Sequence, residues 1–181
     1  MAANSSISEM VNQSRTVLTS PSVATFERFE HQGTLKDALV YVALAAAITG
    51  VFGLTEGLAG FVRNILVTLI GFFVFTYLVH WFGKQRGGTG TLDEVAYTFA
   101  LFWAPLSVLF GLVTLLLAIT IVGLVLVPLV ALIALALNIY FAYLAVQSSM
   151  NLSSGGPTWG VLLLAALGSF LVNVVLGALL F

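Results

Sequence analysis

The sequence predicts an all-α membrane protein, a polytopic bundle of five transmembrane helices preceded by short amphipathic N-terminal helices. Three observations support this fold class. Of 181 residues, 60% are hydrophobic and only 7% are charged, whereas soluble domains carry about 25% charged residues. All thirteen Asp, Glu, Lys and Arg residues lie between Glu9 and Glu94, so residues 95–181 carry none. Five apolar runs have the length of about 20 residues that a helix needs to cross the hydrocarbon core.

The same composition excludes several classes of function. A net charge of −1 provides no basic excess for binding nucleic acid, so we expect no nucleic-acid partner. Cysteine is absent, which removes disulfides, thiol nucleophiles and cysteine metal sites. His31 and His80 are the only histidines, and the chain contains no HExxH, GxSxG or Walker motif. We therefore predict no catalytic residue, no metal and no cofactor.

The N-terminal segment, residues 1–36, predicts two short amphipathic helices on the cytoplasmic side. Ser6 and Glu9 have the spacing of a capping box, and Ser20 followed by Pro21 resembles an N-cap with proline at the first helical position. Apolar residues recur at helical spacing behind both starts. Such helices could lie on the membrane surface or pack against the protein's own cytoplasmic loops, and the sequence leaves both placements open.

The transmembrane domain, residues 37–181, follows in five apolar runs. Thr34 with Asp37 and Thr91 with Glu94 provide a capping threonine and a first-turn acid at two of the helix starts. With the N-terminus inside, five basic residues lie on the inner side and only Arg63 on the outer side, which favours a cytoplasmic N-terminus. The predicted spans are residues 37–53, which can extend to 60, then 63–82, 91–117, 122–146 and 159–181.

Small residues repeat every three or four positions along the first predicted span. They include a GxxxG pair at Gly53 and Gly57, and such a smooth ridge allows another helix to approach closely. We interpret the ridge as a helix-packing face within the chain or, alternatively, as an oligomer face. Its glycines are Gly50, Gly53, Gly57 and Gly60.

A glycine-rich turn with two basic residues joins the second and third predicted spans. Glycine-rich turns that run into a helix N-terminus can bind phosphate, so this turn could contact a lipid head group. A flexible loop with a positive-inside anchor explains the same residues. The residues of the possible head-group contact are Lys84, Arg86, Gly88 and Gly90.

Few polar residues lie inside the predicted spans, and the last three have no Asp or Glu near the middle of the membrane. Asn138 is central in the fourth span, with Tyr140 nearby, and Asn173 lies in the fifth. Asparagine in lipid commonly forms a hydrogen bond across a helix interface, which we take as the first interpretation of Asn138. Alternatively, Asn138, Tyr140 and Asn173 line a small polar cavity, with kinks at Pro105 and Pro128.

Several short stretches resemble the Yip family, the Ypt-interacting membrane proteins, and in particular its short prokaryotic members. Ser20-Pro21 followed by Phe26 is similar to the beginning of the family domain. Residues 82–91, with the Ala96-Tyr97 and Ala104-Pro105 pairs behind them, are similar to its central signature. The region 140–145 and the final span also fit the family.

The resemblance implies a five-span bundle with a cytoplasmic N-terminus in a prokaryotic cell (inner) membrane. In eukaryotic relatives it implies a role in vesicle trafficking through Rab-type GTPases and partner Yip proteins. This sequence has no Asp-Leu-Tyr-Gly-Pro motif, so the resemblance gives little support to a GTPase partner. We expect a non-enzymatic protein that organises membrane or assembles with itself or other membrane proteins, with membrane lipids as partners. A transporter or channel for a small neutral or hydrophobic solute is the alternative.

Overall fold

The structure, a computed structural model, describes residues 5–51 and 57–180. These residues form seven α-helices, which confirms the all-α class and the polytopic membrane bundle. Gly53 lies outside the described residues. The helices are α1 (Ile7–Thr19), α2 (Val23–Glu27), α3 (Leu35–Val51), α4 (Gly57–Gln85), α5 (Leu92–Ala118), α6 (Ile121–Ser149) and α7 (Gly156–Leu180).

Side-chain caps fix the starts of several helices. The predicted box at Ser6 and Glu9 is formed, and Thr91 with Glu94 forms a second box at the start of α5. At α3, the Asp37 backbone N–H donates to Thr34 Oγ1 over 3.3 Å. The predicted cap at Ser20 is wrong, because the N-cap of α2 is Ser22, whose hydroxyl accepts from the Thr25 backbone N–H.

Four helices are long and apolar enough to cross a membrane within the described part of the chain. They correspond to four of the five predicted spans, and α3, with 17 residues, is shorter. The four membrane-length segments are Gly57–Gln85, Leu92–Ala118, Val125–Ser149 and Gly156–Val175.

The central helix of the bundle is α5, which packs against α3 on one side and α6 on the other, while α4 packs along α7. Aromatic rings hold the inner contacts together. The Phe99 ring lies 5.4 Å from Phe75 of α4 and 5.3 Å from Phe102, and Phe102 stacks on Phe141 of α6 at 5.6 Å. Such ring pairs contribute roughly 0.5–1.5 kcal/mol each beyond the area that they bury.

The N-terminal helices pack against the bundle itself, α1 on α5 and α2 on α6. Met10, Val17 and Phe26 are fully buried in this contact, and the Phe26 ring meets Phe102 edge-on at 6.2 Å. We call α1 and α2 the N-terminal layer, and the end of the bundle that they cover the N-terminal side. The sequence left two placements open, the membrane surface and the protein's own cytoplasmic loops. The contact matches packing against the protein, but the partners are the spanning helices α5 and α6 and not the loops.

The predicted glycine ridge does not run along one helix. Gly50 is buried in α3, whereas Gly57 and Gly60 belong to α4. The reason is local, because Gly57 has a φ of +72°, in the left-handed region that cannot continue a right-handed helix. A β-carbon on Gly50 would lie 3.1 Å from the Phe61 ring of α4, so Gly50 serves contact between these two helices.

Candidate functional site

A cavity of about 640 Å³ lies between α4, α5, α6 and α7; we call it the crevice. Its size is in the range of sites that take a small organic molecule, about 300–1,000 Å³. The crevice brings together Asn138 and Asn173, as the cavity prediction required, but Tyr140 does not line it. The lining residues are Val67, Thr68, Gly71, Phe72, Phe75, Phe99, Phe102, Trp103, Leu135, Asn138, Ile139, Ala142, Trp159, Leu162, Leu163, Ala166, Ser169 and Asn173.

The polar groups of the crevice are few, and its two amide side chains are satisfied within their own helices. Asn138 Nδ2 donates to the Ala134 carbonyl and Asn173 Nδ2 to the Ser169 carbonyl, each over 2.8 Å. The amide of Asn138 therefore does not form the hydrogen bond across a helix interface that we predicted, because it bonds within α6. Both amides remain in the wall of the crevice, where they offer weakly polar contacts.

Ser169 differs from the other polar groups. Its side chain is 8% exposed, and its Oγ has no hydrogen-bond partner within the described residues. A buried hydroxyl without a partner costs free energy, of the order of 1–3 kcal/mol. Ser169 lines the crevice, although its Oγ atom is itself fully buried, so this residue forms part of the wall and offers no polar contact to a bound molecule.

Among the residues that the structure describes, no lining residue of the crevice carries a formal charge. Ion-coupled transport sites usually place Asp, Glu, Lys or Arg near the middle of the membrane, where such residues mark substrate and ion pathways. The walls are instead aromatic and aliphatic side chains with isolated amides and hydroxyls. The arrangement is suited to hydrocarbon or to a weakly polar neutral molecule.

The glycine-rich turn between α4 and α5 has a structural role that the sequence did not show. Gly88 and Gly90 are buried, and the Gly88 and Thr89 backbone N–H groups donate to the carbonyls of Gly83 and Met150. These two backbone N–H groups do not bind a phosphate, because they already donate to carbonyls of the protein. Lys84 Nζ donates to the Thr89 carbonyl over 2.9 Å.

Arg86 is not a lining residue of the crevice, but it lies beside the end that Trp159 lines, which we call the rim. A β-carbon built on Gly160 would fall 2.7 Å from Arg86 Nη2, so the guanidinium rests directly on the backbone of α7. The neighbouring residue Trp159 lines the crevice. Of the four residues predicted to contact a head group, only Arg86 combines exposure with this position, and the head-group contact itself stays a prediction.

Polar contacts join α1 and the turn after α2 to the bundle, and the sequence did not predict them. The Ser148 hydroxyl of α6 donates to the buried Glu30 carboxylate, and His31 lies 3.2 Å from Glu94. Tyr97 donates to Gln13 Oε1 over 2.8 Å. Little in the sequence indicates that Glu30 is buried, since a glutamate beside an apolar stripe usually lies on the solvated side of a helix.

Burial raises the pKa of Glu30 above its usual range, while the Ser148 hydroxyl and His31 act in the opposite direction. The folded protein thus holds this proton more tightly than the unfolded chain. The resulting stabilisation is complete below the ordinary carboxyl pKa and is lost as the pH rises through the raised value.

We expect Glu30→Gln to have a higher Tm than the native protein at a pH above the raised pKa of Glu30. Glu27→Gln, at an exposed site, is the control, and parallel Tm curves for native protein and Glu30→Gln would contradict the prediction.

Comparison with protein families bears directly on this architecture. The Yip1 domain family matches residues 15–177, which cover the end of α1, all of α2 and the four membrane-length segments. The chain belongs to the Yip1 domain family. Proteins of this family are non-enzymatic proteins of membrane trafficking, so this Yip1 domain is not an enzyme. No curated protein and no solved structure matches the chain.

Proposed function

We propose that this Yip1 domain is a five-span integral membrane protein that takes up hydrophobic constituents of its own membrane in the crevice, and organises the surrounding membrane in this way. The observation that carries the proposal is the crevice itself, a cavity of about 640 Å³ among membrane-length helices, whose lining residues within 5–51 and 57–180 carry no charge. Such a wall has more affinity for hydrocarbon than for ions.

The surface of α3 supports counting this helix as a membrane span in addition to the four membrane-length helices. Val40, Leu44, Ile48 and Val51 are all exposed, and their spacing of three or four residues places them on one side of the helix. The opposite side packs on α5 and α4. An apolar stripe facing away from the bundle is suited to lipid. Its 17 residues extend about 26 Å, close to the hydrocarbon thickness of about 30 Å.

Charge supports the orientation that goes with this proposal. The N-terminal side carries Lys84, Arg86 and the basic residues of the first 36 positions, and Arg63 belongs to the opposite end of α4. By the positive-inside rule the N-terminal layer is cytoplasmic. We place the protein in a prokaryotic cell membrane, divided into a cytoplasmic segment, residues 1–36, and a transmembrane domain, residues 37–181.

Assembly with a second copy or with other membrane proteins is part of the proposed role. The broad exposed apolar surface of α6 leaves room for such contacts, since α6 packs mainly on α5 within the chain. The glycines at the α3 and α4 ends, Gly50 and Gly60, already face intramolecular neighbours or lie half-buried. We do not propose a GTPase partner.

A carrier for a small neutral or hydrophobic solute is the second candidate. The pair Asn138 and Asn173 in one cavity favours it, because amides can bind a neutral polar group. Solute flux into proteoliposomes separates the two functions. A flux that is abolished by Asn138→Leu would favour a carrier, whereas retained lipid without flux favours membrane organisation.

Filling the crevice tests the proposed function. Ala166 is exposed toward the crevice, so Ala166→Phe would place a ring where a bound molecule must lie. We expect the number of phospholipids retained in native mass spectrometry, after release from nanodiscs, to fall severalfold. Ala131→Phe adds the same ring to the exposed outer surface of α6 and should leave retention unchanged. Equal retention in both variants would contradict the proposal.

A further inference from the structure

The crevice and the exposed arginine at its rim point to one ligand. We propose that the crevice holds an acyl chain of a phospholipid whose phosphate group is bound by Arg86. This assignment rests on the proposed function and adds to it the chemical class of the ligand and the position of its head group.

The length of the crevice fits one acyl chain. Along α7 it extends from Trp159 to Asn173, fourteen residues or about 21 Å of helix. One leaflet of the hydrocarbon core is about 15 Å deep, half of about 30 Å. A chain that enters at Trp159 and spans one leaflet therefore extends to the level of Ser169, ten residues or about 15 Å along α7.

The head-group end is at the rim beside α7. Arg86 is exposed, and no carboxylate lies within ion-pair distance of it among the described residues. Gly160 lets the guanidinium rest against the backbone one residue after Trp159. The first turn of the 25-residue helix α7 adds a positive dipole end. Guanidinium groups bind phosphate through paired, charge-assisted hydrogen bonds.

Lys84 is less suited to this role, although it is only two residues away. Its ammonium donates to the Thr89 carbonyl, which holds it in the turn between α4 and α5. Trp159 completes the rim, since its ring is 43% exposed and stacks at 5.0 Å on Tyr143. Indole rings are typical of the interface between hydrocarbon and head groups.

Fluorescence quenching by brominated lipids tests the assignment. The protein retains Trp103 alone, which lines the crevice, with Trp81→Phe and Trp159→Phe. Vesicles of a phosphate-free galactolipid contain either brominated phosphatidic acid or brominated diacylglycerol, which differ by the phosphate. We expect phosphatidic acid to quench Trp103 at roughly tenfold lower content, as a charge-assisted contact predicts.

Variants of the basic residues test whether Arg86 causes the preference for phosphatidic acid. Arg86→Gln should remove it, Arg86→Lys should retain part of it, and Arg15→Gln, which neutralises an exposed residue of α1, should leave it intact. Equal quenching by the two lipids in the native background would overturn the phosphate assignment while leaving the proposed function standing. Absence of quenching by either lipid would overturn both. Millimolar inorganic phosphate should not change the preference, and its loss on adding phosphate would assign Arg86 to a free anion instead.

Discussion

Replacing Gly90 by alanine is expected to destabilise the folded bundle. A β-carbon at Gly90 would lie 1.5 Å from the Ser149 carbonyl oxygen, so the backbone of the turn or of α6 must move. The movement would break the hydrogen bond from Thr89 N–H to the Met150 carbonyl. We expect a loss of about 3 kcal/mol or more, which lowers Tm by roughly 10 °C in a chain of this size. Thermal unfolding in detergent measures it.

A matched glycine provides the control for this substitution. Gly156 begins α7 on the same side of the bundle, and a β-carbon there would meet no atom within 4 Å. Gly156→Ala should therefore leave Tm almost unchanged. If Gly90→Ala were equally stable, the close approach of the turn to the end of α6 would not exist in the folded protein.

Replacing Phe26 by alanine is expected to detach the N-terminal layer. The side chain of Phe26 is fully buried, and its ring is the aromatic contact of α2 with Phe102 of α5. Removing a buried phenylalanine ring costs about 3–5 kcal/mol. Since α2 has only five residues, it cannot remain helical without that contact. We expect faster hydrogen exchange in residues 7–30 and unchanged protection in α5.

An exposed residue of the N-terminal layer provides the control for the Phe26 substitution. Val11 of α1 is 50% exposed, so Val11→Ala should leave hydrogen exchange in residues 7–30 unchanged. Unaltered exchange in Phe26→Ala would show that the layer does not depend on this contact. Accelerated exchange throughout the bundle would show instead that the layer and the spans unfold together.

The sequence predicts much of the fold, because apolar runs and helix caps are local signals. Four of the predicted spans correspond to membrane-length helices, and the box at Ser6 and Glu9 forms as its spacing indicates. The cap of α2 was misplaced because Ser20 and Ser22 flank the same proline, and both are residues that favour N-caps. The glycine ridge was assigned to one helix because apolar composition continues through the point where Gly57 adopts a positive φ.

The site was harder to predict, because apolarity inside a membrane does not show which side of a helix faces a neighbour. Asn138 and Asn173 stood out as polar residues in apolar runs, and they do lie in one cavity. Ser169 and Trp103 carried no comparable signal, since serine and tryptophan are ordinary in membrane helices. The position of Arg86 on Gly160 depends on how α4 and α7 pack, which no local pattern reveals.

The most direct test of the central claim is whether lipid chains enter the crevice. Trp103, as the single tryptophan, is exposed to phospholipids brominated along the acyl chain, and its fluorescence is compared with that of the same protein carrying Ala166→Phe. An acyl chain in the crevice predicts strong quenching that Ala166→Phe reduces severalfold and Ala131→Phe leaves unchanged. Quenching that is the same in all three proteins, or absent from them, would contradict a lipid-binding crevice.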